Sequence, residues 1–278
     1  MRVQFTKMHG LGNDFVVIDA ISQHVSLRTS QIQKLSNRHT GVGFDQLLLI
    51  EPPSRPDADF NYRIFNADGQ EVQHCGNGAR CFARFVRDRE LTTKTVIRVN
   101  TLGGLITLNV LDNGLVRVDM GEPHFAPDTL PYVGPPDLDH GEVRLETPLG
   151  PMAFGLVSMG NPHAVCQVAA VAVAPVEAVG PAVQALPQFP DSVNVGFMQL
   201  IQPDLIRLRV YERGVGETLA CGTGACAAVA HGRRQGLLGE QVTVETEGGT
   251  LEIEWSGPGH ALTMTGPAES VYEGEFRL

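Results

Sequence analysis

The segment RIFNADGQEVQHCGNGA, residues 63–79, decides the fold, because it returns in related form as RVYERGVGETLACGTGA at residues 209–225. The two segments align without a gap, and both begin with arginine and end in Cys-Gly-x-Gly-Ala. Such a repeat fixes the number of structural units and the symmetry of any site that the copies share. The chain is therefore predicted to be an internal duplication.

Shorter matches extend the repeat in both directions and keep the same order along the chain. The matched pairs are 12–17 with 160–165, 44–46 with 192–194, 101–104 with 246–249, and 120–123 with 265–268. The matched positions are rich in Gly, Asn, Gln, Glu and Cys, the residue types of ligand-binding loops. We predict two domains: residues 1–120 together with the tail 266–278, and residues 121–265.

Strand-like and helix-like segments alternate within each half. Apolar, β-branched runs at 15–18, 47–50, 96–99 and 115–120 predict strands. Helices are predicted at 30–37, at 176–185 and after each Cys-Gly-x-Gly turn. The fold class is thus α/β of the α+β type, with a mixed sheet wrapped around a central helix in each half. The second central helix is apolar on every side, whereas Arg80 and Arg84 predict a less enclosed first one.

Composition excludes several classes of partner. Among 278 residues, 31 acidic side chains outnumber 21 basic ones, for a formal charge of −10, and no dense basic run occurs. Nucleic acid and membrane surfaces are therefore not expected as partners. The N-terminal residues lack a signal-peptide core, and polar residues or prolines interrupt the apolar stretches, which disfavours a membrane span. A cytoplasmic protein is therefore expected. The five cysteines lack metal-ligand spacing, which predicts reduced thiols and no metal site.

Each Cys-Gly-x-Gly turn places a thiol at the start of a helix. The unpaired N–H groups and the helix dipole favour thiolate, so the pKa of each cysteine is expected to fall towards neutral pH. The same N–H groups suit a carboxylate. If the turns oppose each other across a cleft, one sulfur faces each side of an amino-acid Cα. This arrangement predicts a cofactor-free racemase or epimerase in which Cys75 and Cys221 act as opposed acid and base.

Other interpretations compete with this one. A nucleotide site is disfavoured because the phosphate-binding glycine motifs are missing. The remaining cysteines, Cys81, Cys166 and Cys226, are predicted to be buried apolar residues. A redox dithiol formed by Cys75 and Cys221 stays open as a side reaction. A non-enzymatic amino-acid-binding or thiol-redox protein is the alternative from another functional class.

The motifs at residues 75–80, 160–163 and 212–224 strongly resemble those of diaminopimelate epimerase, and the resemblance runs essentially end to end. It implies an enzyme, independent of pyridoxal phosphate, that interconverts L,L- and meso-diaminopimelate on the route to lysine and peptidoglycan. Cys75 would take the proton from the L,L isomer while Cys221 donates one. His163 and Glu212 would tune the thiol pKa values, and His74 could bias Cys75.

The resemblance also implies a set of substrate contacts. They fall on side chains or backbone groups of Asn13, Gln46, Asn66, Gly76, Asn77, Asn161, Asn194, Glu212, Arg213, Gly222 and Thr223. Arg213 can bind the distal carboxylate bidentately and Glu212 can meet the distal ammonium, which disfavours the rival proline or hydroxyproline racemase. Tyr272 falls where the family has a tyrosine important for dimerisation, so a homodimer is expected. Alternatively, the Tyr272 ring serves only in ordinary packing.

Overall fold

Two units with related topology make up the chain in the computed structural model, which describes residues 2–73, 75–126, 129–134 and 141–278. Unit 1 comprises Met1–Asp119 and Thr265–Leu278, and unit 2 comprises Met120–Met264. The boundaries expected from the repeat, 120 and 265, differ from these by one residue. His74 lies outside the described residues.

Unit 1 contains two helices and a mixed sheet. Its elements are β1 (Arg2–Gly10), β2 (Asn13–Asp19), α1 (Thr29–Ser36), β3 (Gln46–Glu51), β4 (Phe60–Asn66), β5 (Glu71–Val72), α2 (Gly76–Asp88), β6 (Val96–Thr101), β7 (Gly104–Val110), β8 (Val116–Asp119) and β18 (Glu269–Arg277). Strand β18 pairs with β1, and the sheet continues through β2, β3, β4, β6, β7 and β8. The pairs β2/β3 and β4/β6 are parallel. The tail thus completes the unit that holds β1.

Unit 2 repeats this arrangement. Its elements are β9 (Glu142–Thr147), β10 (Gly150–Ser158), β11 (Pro162–Gln167), a 3-10 turn (Val171–Val173), α3 (Val176–Gln184), β12 (Asn194–Gln202), β13 (Leu205–Glu212), β14 (Gly216–Thr218), α4 (Gly222–Arg234), β15 (Gln241–Thr246) and β16 (Gly249–Glu254). Strand β17 (Thr263–Gly266) contains the unit boundary. The sheet runs β9, β10, β11, β12, β13, β15, β16, and its parallel pairs are β11/β12 and β13/β15.

The same strand order and the same two parallel pairs therefore occur in both units. The mixed α+β fold in two repeated halves predicted from the sequence is confirmed. The predicted strands and helices are also found, with ends that differ by one or a few residues. Helices α2 and α4 each contact several strands of their own sheet, which agrees with a central helix in each half.

The prediction that the first central helix is less enclosed is wrong. Arg80 is 0% exposed, and α2 buries ten residues, the same number as α4. The Arg80 Nε donates a hydrogen bond of 3.0 Å to the carbonyl oxygen of Pro267, which the returning tail supplies. A buried charge is tolerated when it is hydrogen-bonded in this way. Arginine at this position consequently marks tertiary packing and not a solvent-facing side.

Candidate functional site

Both candidate cysteines cap a central helix. Cys75 precedes α2 and Cys221 precedes α4, each with extended backbone angles. Their carbonyl oxygens accept the first intrahelical hydrogen bonds, from Ala79 N at 2.8 Å and Ala225 N at 2.9 Å. The prediction that each thiol lies at a helix N-terminus is confirmed. Gly76 and Asn77, like Gly222 and Thr223, provide the next backbone N–H groups, which an α-helix leaves without intrahelical acceptors.

Close packing, and not backbone strain, explains the last glycine of each turn. Neither Gly78 nor Gly224 has a positive φ. A Cβ on Gly78 would lie 2.7 Å from the hydroxyl of Tyr62. A Cβ on Gly224 would lie 3.3 Å from Sγ of Cys221 and 3.0 Å from Val210. Any side chain here would displace the turn that carries the cysteine.

In unit 1 the structure brings Asn13, Cys75 and Asn77 together. The Cys75 thiol lies 3.6 Å from Oδ1 of Asn13, and Nδ2 of Asn77 donates to the same oxygen at 3.2 Å. Asn13 Nδ2 donates in turn to Oδ2 of Asp45 at 3.0 Å. The predicted contact residue Asn13 is therefore an immediate neighbour of the candidate catalytic thiol.

Gln46 and Asn66 form a second polar pair in unit 1. They face each other across β3 and β4, and Gln46 Nε2 donates to Asn66 Oδ1 at 2.8 Å. Among the described residues, Oε1 of Gln46 and Oδ1 of Asn77 are buried and accept no hydrogen bond. Buried acceptors without donors are uncommon and typically mark a place where a ligand or water binds.

In unit 2 Cys221 is 3% exposed and lies beside Glu212 and Thr223. Its Sγ is 3.6 Å from Oγ1 of Thr223. Burial first, and then the Glu212 carboxylate, raise the pKa of Cys221 well above the usual thiol value. Hydrogen bonds from Thr223 and the Gly224 N–H lower it by less. The expectation that the helix start depresses the pKa of this cysteine is therefore wrong, because desolvation and a like charge outweigh the helix terminus.

His163 joins this group through Asn161. Its Nε2 lies 3.0 Å from Oδ1 of Asn161, whose Nδ2 donates to Thr223 Oγ1 at 3.3 Å. Burial, with repulsion from Arg213, lowers the pKa of His163 to about 3. The ring is thus neutral at physiological pH, so the predicted tuning of the thiol pKa values would not come from a charge on His163. Its hydrogen bonds lead through Asn161 to Thr223, the neighbour of Cys221.

Asn194 and Arg213 form the remaining polar group. Asn194 donates to the carbonyl of Pro162 at 3.0 Å and accepts from the backbone N–H of Arg213 at 2.9 Å. Its amide therefore holds two backbone segments together. The exposed Arg213 side chain donates one hydrogen bond, of 3.1 Å, to the carbonyl of Asp191. Its other donors suit a planar carboxylate.

Two arginine–glutamate ion pairs were not predicted from the sequence. Arg63 binds both carboxylate oxygens of Glu71, at 2.9 and 2.8 Å, and Arg209 binds both of Glu217, at 2.5 and 2.9 Å. In both units the pair links the strand before the turn to the short strand that leads into it. Their matched positions in the repeat were the signal that could have revealed them.

The other cysteines are buried, as predicted. Cys81, Cys166 and Cys226 are each almost inaccessible. Burial raises the pKa of both Cys81 and Cys166 to about 12. Within residues 2–73, 75–126, 129–134 and 141–278, no cluster of three His, Cys, Asp or Glu side chains is placed to hold a metal. The same part of the chain has no helix long and apolar enough to cross a membrane.

We expect Glu212→Gln to lower the pKa of Cys221, because it removes the nearby negative charge that disfavours thiolate. The pKa should stay above that of a free thiol, since burial remains. The measurement is the pH dependence of iodoacetamide alkylation at Cys221, followed by mass spectrometry of its peptide. Glu217→Gln, in the same hairpin but bound to Arg209, is the matched control. An unchanged or higher pH midpoint in Glu212→Gln would show that the Glu212 carboxylate does not raise the pKa of Cys221.

Sequence comparison identifies the family to which these features belong. A family model described as diaminopimelate epimerase matches residues 5–126 and 155–271. The chain belongs to the diaminopimelate epimerase family. The two matched ranges include both Cys-Gly-x-Gly turns and every polar residue described above, and they place the chain in an isomerase family.

Several solved structures share the fold. A phenazine biosynthesis protein of the PhzF family from Bacillus anthracis is 19% identical, with a TM-score of 0.71 and full coverage of both chains. A hydroxyproline epimerase from Agrobacterium vitis is 18% identical over 99% of this chain and 92% of its own, with a TM-score of 0.70. A probable proline racemase from Agrobacterium radiobacter is 18% identical over 99% and 93%, with a TM-score of 0.69. At such identities the likeness concerns the fold alone.

Proposed function

We propose that this member of the diaminopimelate epimerase family is a cofactor-independent epimerase that interconverts L,L- and meso-diaminopimelate, with Cys75 and Cys221 as the two bases. The observation that carries the proposal is the equivalent position of the two thiols. Each caps the central helix of one repeated unit, immediately before the Gly-x-Gly turn. Two thiols in equivalent positions match a reaction that needs one group on each face of Cα.

The proposed step conserves protons. The Cys75 thiolate takes the Cα proton of the L,L isomer, and the C–H electron pair moves towards the α-carboxylate to give an enediolate-like transition state. The Cys221 thiol then donates its proton to the opposite face. Backbone N–H groups of Gly76, Asn77, Gly222 and Thr223 would bind that carboxylate where negative charge accumulates. In the meso direction the roles of the thiols reverse.

The raised pKa of Cys221 supports this assignment of roles. A buried thiol beside the Glu212 carboxylate keeps its proton at neutral pH, as the acid for the L,L isomer must. After donation, the thiolate on Cys221 lies in an unfavourable environment and regains a proton readily. Turnover by this scheme needs one thiol protonated and the other ionised.

We assign recognition of the distal end of diaminopimelate to Glu212 and Arg213. The amide side chains assigned to orient the substrate, or to hold the backbone segments that contact it, are those of Asn13, Gln46, Asn66, Asn161 and Asn194. A carboxylate and a guanidinium on adjacent residues complement an ammonium and a carboxylate on one carbon. Proline and hydroxyproline carry no such distal group. This difference favours diaminopimelate as the substrate over the ring compounds.

We also propose a homodimer that includes Tyr272. The tyrosine is 47% exposed on β18, next to the exposed Val271, and its ring meets that of Phe5 edge to face at 5.9 Å. In the described residues, β18 pairs on one side only, with β1. Exposed apolar residues on an edge strand suit association with a second copy.

The proposed function is tested by epimerisation of L,L-diaminopimelate in heavy water without added cofactor. A two-base reaction incorporates solvent deuterium at Cα of the meso product, while recovered L,L substrate stays nearly unlabelled at early times. Hydroxyproline under the same conditions serves as the competing substrate. Equal early labelling of substrate and product would indicate a single base, and turnover of hydroxyproline alone would refute the proposed substrate.

A further inference from the structure

A cluster of four charged residues surrounds Asn13 in unit 1. Asp14 accepts from Lys7 Nζ at 2.6 Å and from Arg38 Nη1 and Nη2 at 2.9 and 2.7 Å. Arg38 Nη2 also donates to Asp45 Oδ1 at 2.8 Å. These residues come from β1, β2 and the segment between α1 and β3. The cluster thus joins β1 and β2 to the segment that carries Asp45.

Asp45 is placed to fix the orientation of the Asn13 amide. A carboxylate only accepts hydrogen bonds, so the amide nitrogen of Asn13 has to face Asp45 and its oxygen has to face away. On that far side the oxygen lies 3.6 Å from the Cys75 thiol and accepts from Asn77 at 3.2 Å. Asp45 Oδ2 itself is held by the backbone N–H of Asp14 at 3.0 Å.

The second unit orients its equivalent amide by different means. Asn161 occupies the position matched to Asn13, and its oxygen faces the His163 ring instead of a thiol. Asp45 has no counterpart there, since the repeat places Val193 at that position. An amide oxygen directed at the cysteine is therefore a property of the Cys75 half, and it depends on a residue that only this half contains. In the second half the acceptor beside the thiol is the Glu212 carboxylate.

We propose that Asp45 is a positioning residue for the reaction, which keeps the oxygen of Asn13 directed at Cys75 so that the thiol formed by proton abstraction has an acceptor. The inference rests on the proposed function for its catalytic meaning, although the hydrogen-bond geometry stands without it. Asp45 acts only through Asn13. Its side chain is 44% exposed, so its removal opens no core cavity.

The test compares Asp45→Ala with wild type by the pH dependence of iodoacetamide alkylation at Cys75, read from its peptide. Loss of Asp45 frees the amide to turn its nitrogen towards sulfur, which favours thiolate. The pH midpoint is expected to fall by about half to one pH unit, the effect of losing one hydrogen bond to the protonated form. The kcat for epimerisation should also fall several-fold.

A double-mutant cycle separates orientation from charge. If Asp45 acts through Asn13, Asp45→Ala has no effect on the Cys75 midpoint in an Asn13→Ala background. An equal shift in both backgrounds overturns the proposal, because it shows that Asp45 acts by its charge. The other titratable or charged groups stay unchanged in this cycle. Lys7, Asp14 and Arg38 belong to the cluster around Asp45, Arg80 lies near Asn77, Tyr62 and Cys81 lie near the thiol, and His74 precedes Cys75 in the sequence.

Arg38→Ala is the matched control, since it removes a charge from the cluster while Asp45 Oδ2 keeps its hydrogen bonds from Asn13 Nδ2 and the Asp14 N–H. It should not lower the midpoint. If Asp45→Ala unfolds, Asp45→Ser replaces it in the cycle. A shifted midpoint in a protein without epimerase activity refutes the proposed function and keeps the positioning role. Normal epimerisation with an unshifted midpoint and unchanged kcat in Asp45→Ala refutes the positioning role alone.

Discussion

Replacing either Cys75 or Cys221 with alanine is expected to lower kcat for diaminopimelate epimerisation by about 10²- to 10⁴-fold, the usual contribution of one acid–base group. Each sulfur would serve one face of Cα, so neither can substitute for the other. The double variant should be little worse than either single variant, because groups that act as a unit are not additive. The measurement is the initial rate of meso product formation from the L,L isomer.

Each central helix contains a second cysteine that provides a matched control. Cys81 lies in α2 and Cys226 in α4, and both side chains are fully buried. Cys81→Ala and Cys226→Ala should keep kcat within a few-fold of wild type while lowering the midpoint of thermal unfolding. Near-normal activity in Cys75→Ala or Cys221→Ala would remove that thiol from the mechanism. A comparable loss in the controls would mean that helix packing, and not acid–base chemistry, explains the result.

The repeat made the topology predictable from the sequence. Cys75 and Cys221 were correctly predicted to lie at helix N-termini, because the features that start a helix after a Cys-Gly-x-Gly turn are local and occur once in each half. The matched stretches also indicated that the two units repeat one arrangement of elements, although they did not show which strands pair. The return of the tail to unit 1 also followed, since residues beyond the second copy had no partner within it.

Properties set by tertiary contacts were not predictable. The helix start at Cys221 indicates a low pKa, but burial and the Glu212 carboxylate reverse its direction. Arg80 appears solvent-facing until Pro267 provides its acceptor from a position far along the chain. Asp45 lies in the matched stretch 44–46, but its role was not visible there because its partners Asn13, Asp14 and Arg38 come from other segments. In each case the sequence shows the residue and not its surroundings.

The two half-sites also differ in hydrogen-bond direction, which a duplicated sequence conceals. Asn13 presents an oxygen to Cys75, an acceptor for a thiol proton. In unit 2 Thr223 accepts from Asn161, so its own hydroxyl hydrogen is available to Cys221. Glu212 opposes that effect by its charge. Equivalent backbone positions thus have unequal environments: Cys75 has an amide acceptor beside it, whereas Cys221 has a hydroxyl donor and a carboxylate.

Arg213→Ala is expected to lower kcat/KM for diaminopimelate by about 10- to 10²-fold, the effect of losing hydrogen bonds between charged groups. Most of the loss should appear in KM, since the distal carboxylate is bound alike in ground and transition states. The kcat/KM for free lysine, which lacks that carboxylate, should be unchanged. The ratio of kcat/KM for diaminopimelate to kcat/KM for lysine therefore falls by the same factor. Arg213→Lys should recover only part of the lost kcat/KM, because the lysine ammonium supplies a charge but cannot bind a carboxylate bidentately.

Arg207 provides the control for this measurement. It lies on β13, the strand that ends one residue before Arg213, and is ion-paired with Glu245 at 2.8 Å, so Arg207→Ala removes a similar charge nearby in the chain. Its KM for diaminopimelate should equal that of wild type. An unchanged KM in Arg213→Ala would show that this guanidinium does not bind the distal carboxylate. The preference for diaminopimelate over proline-like substrates would then have to come from Glu212, because it is the neighbouring group able to meet a distal ammonium.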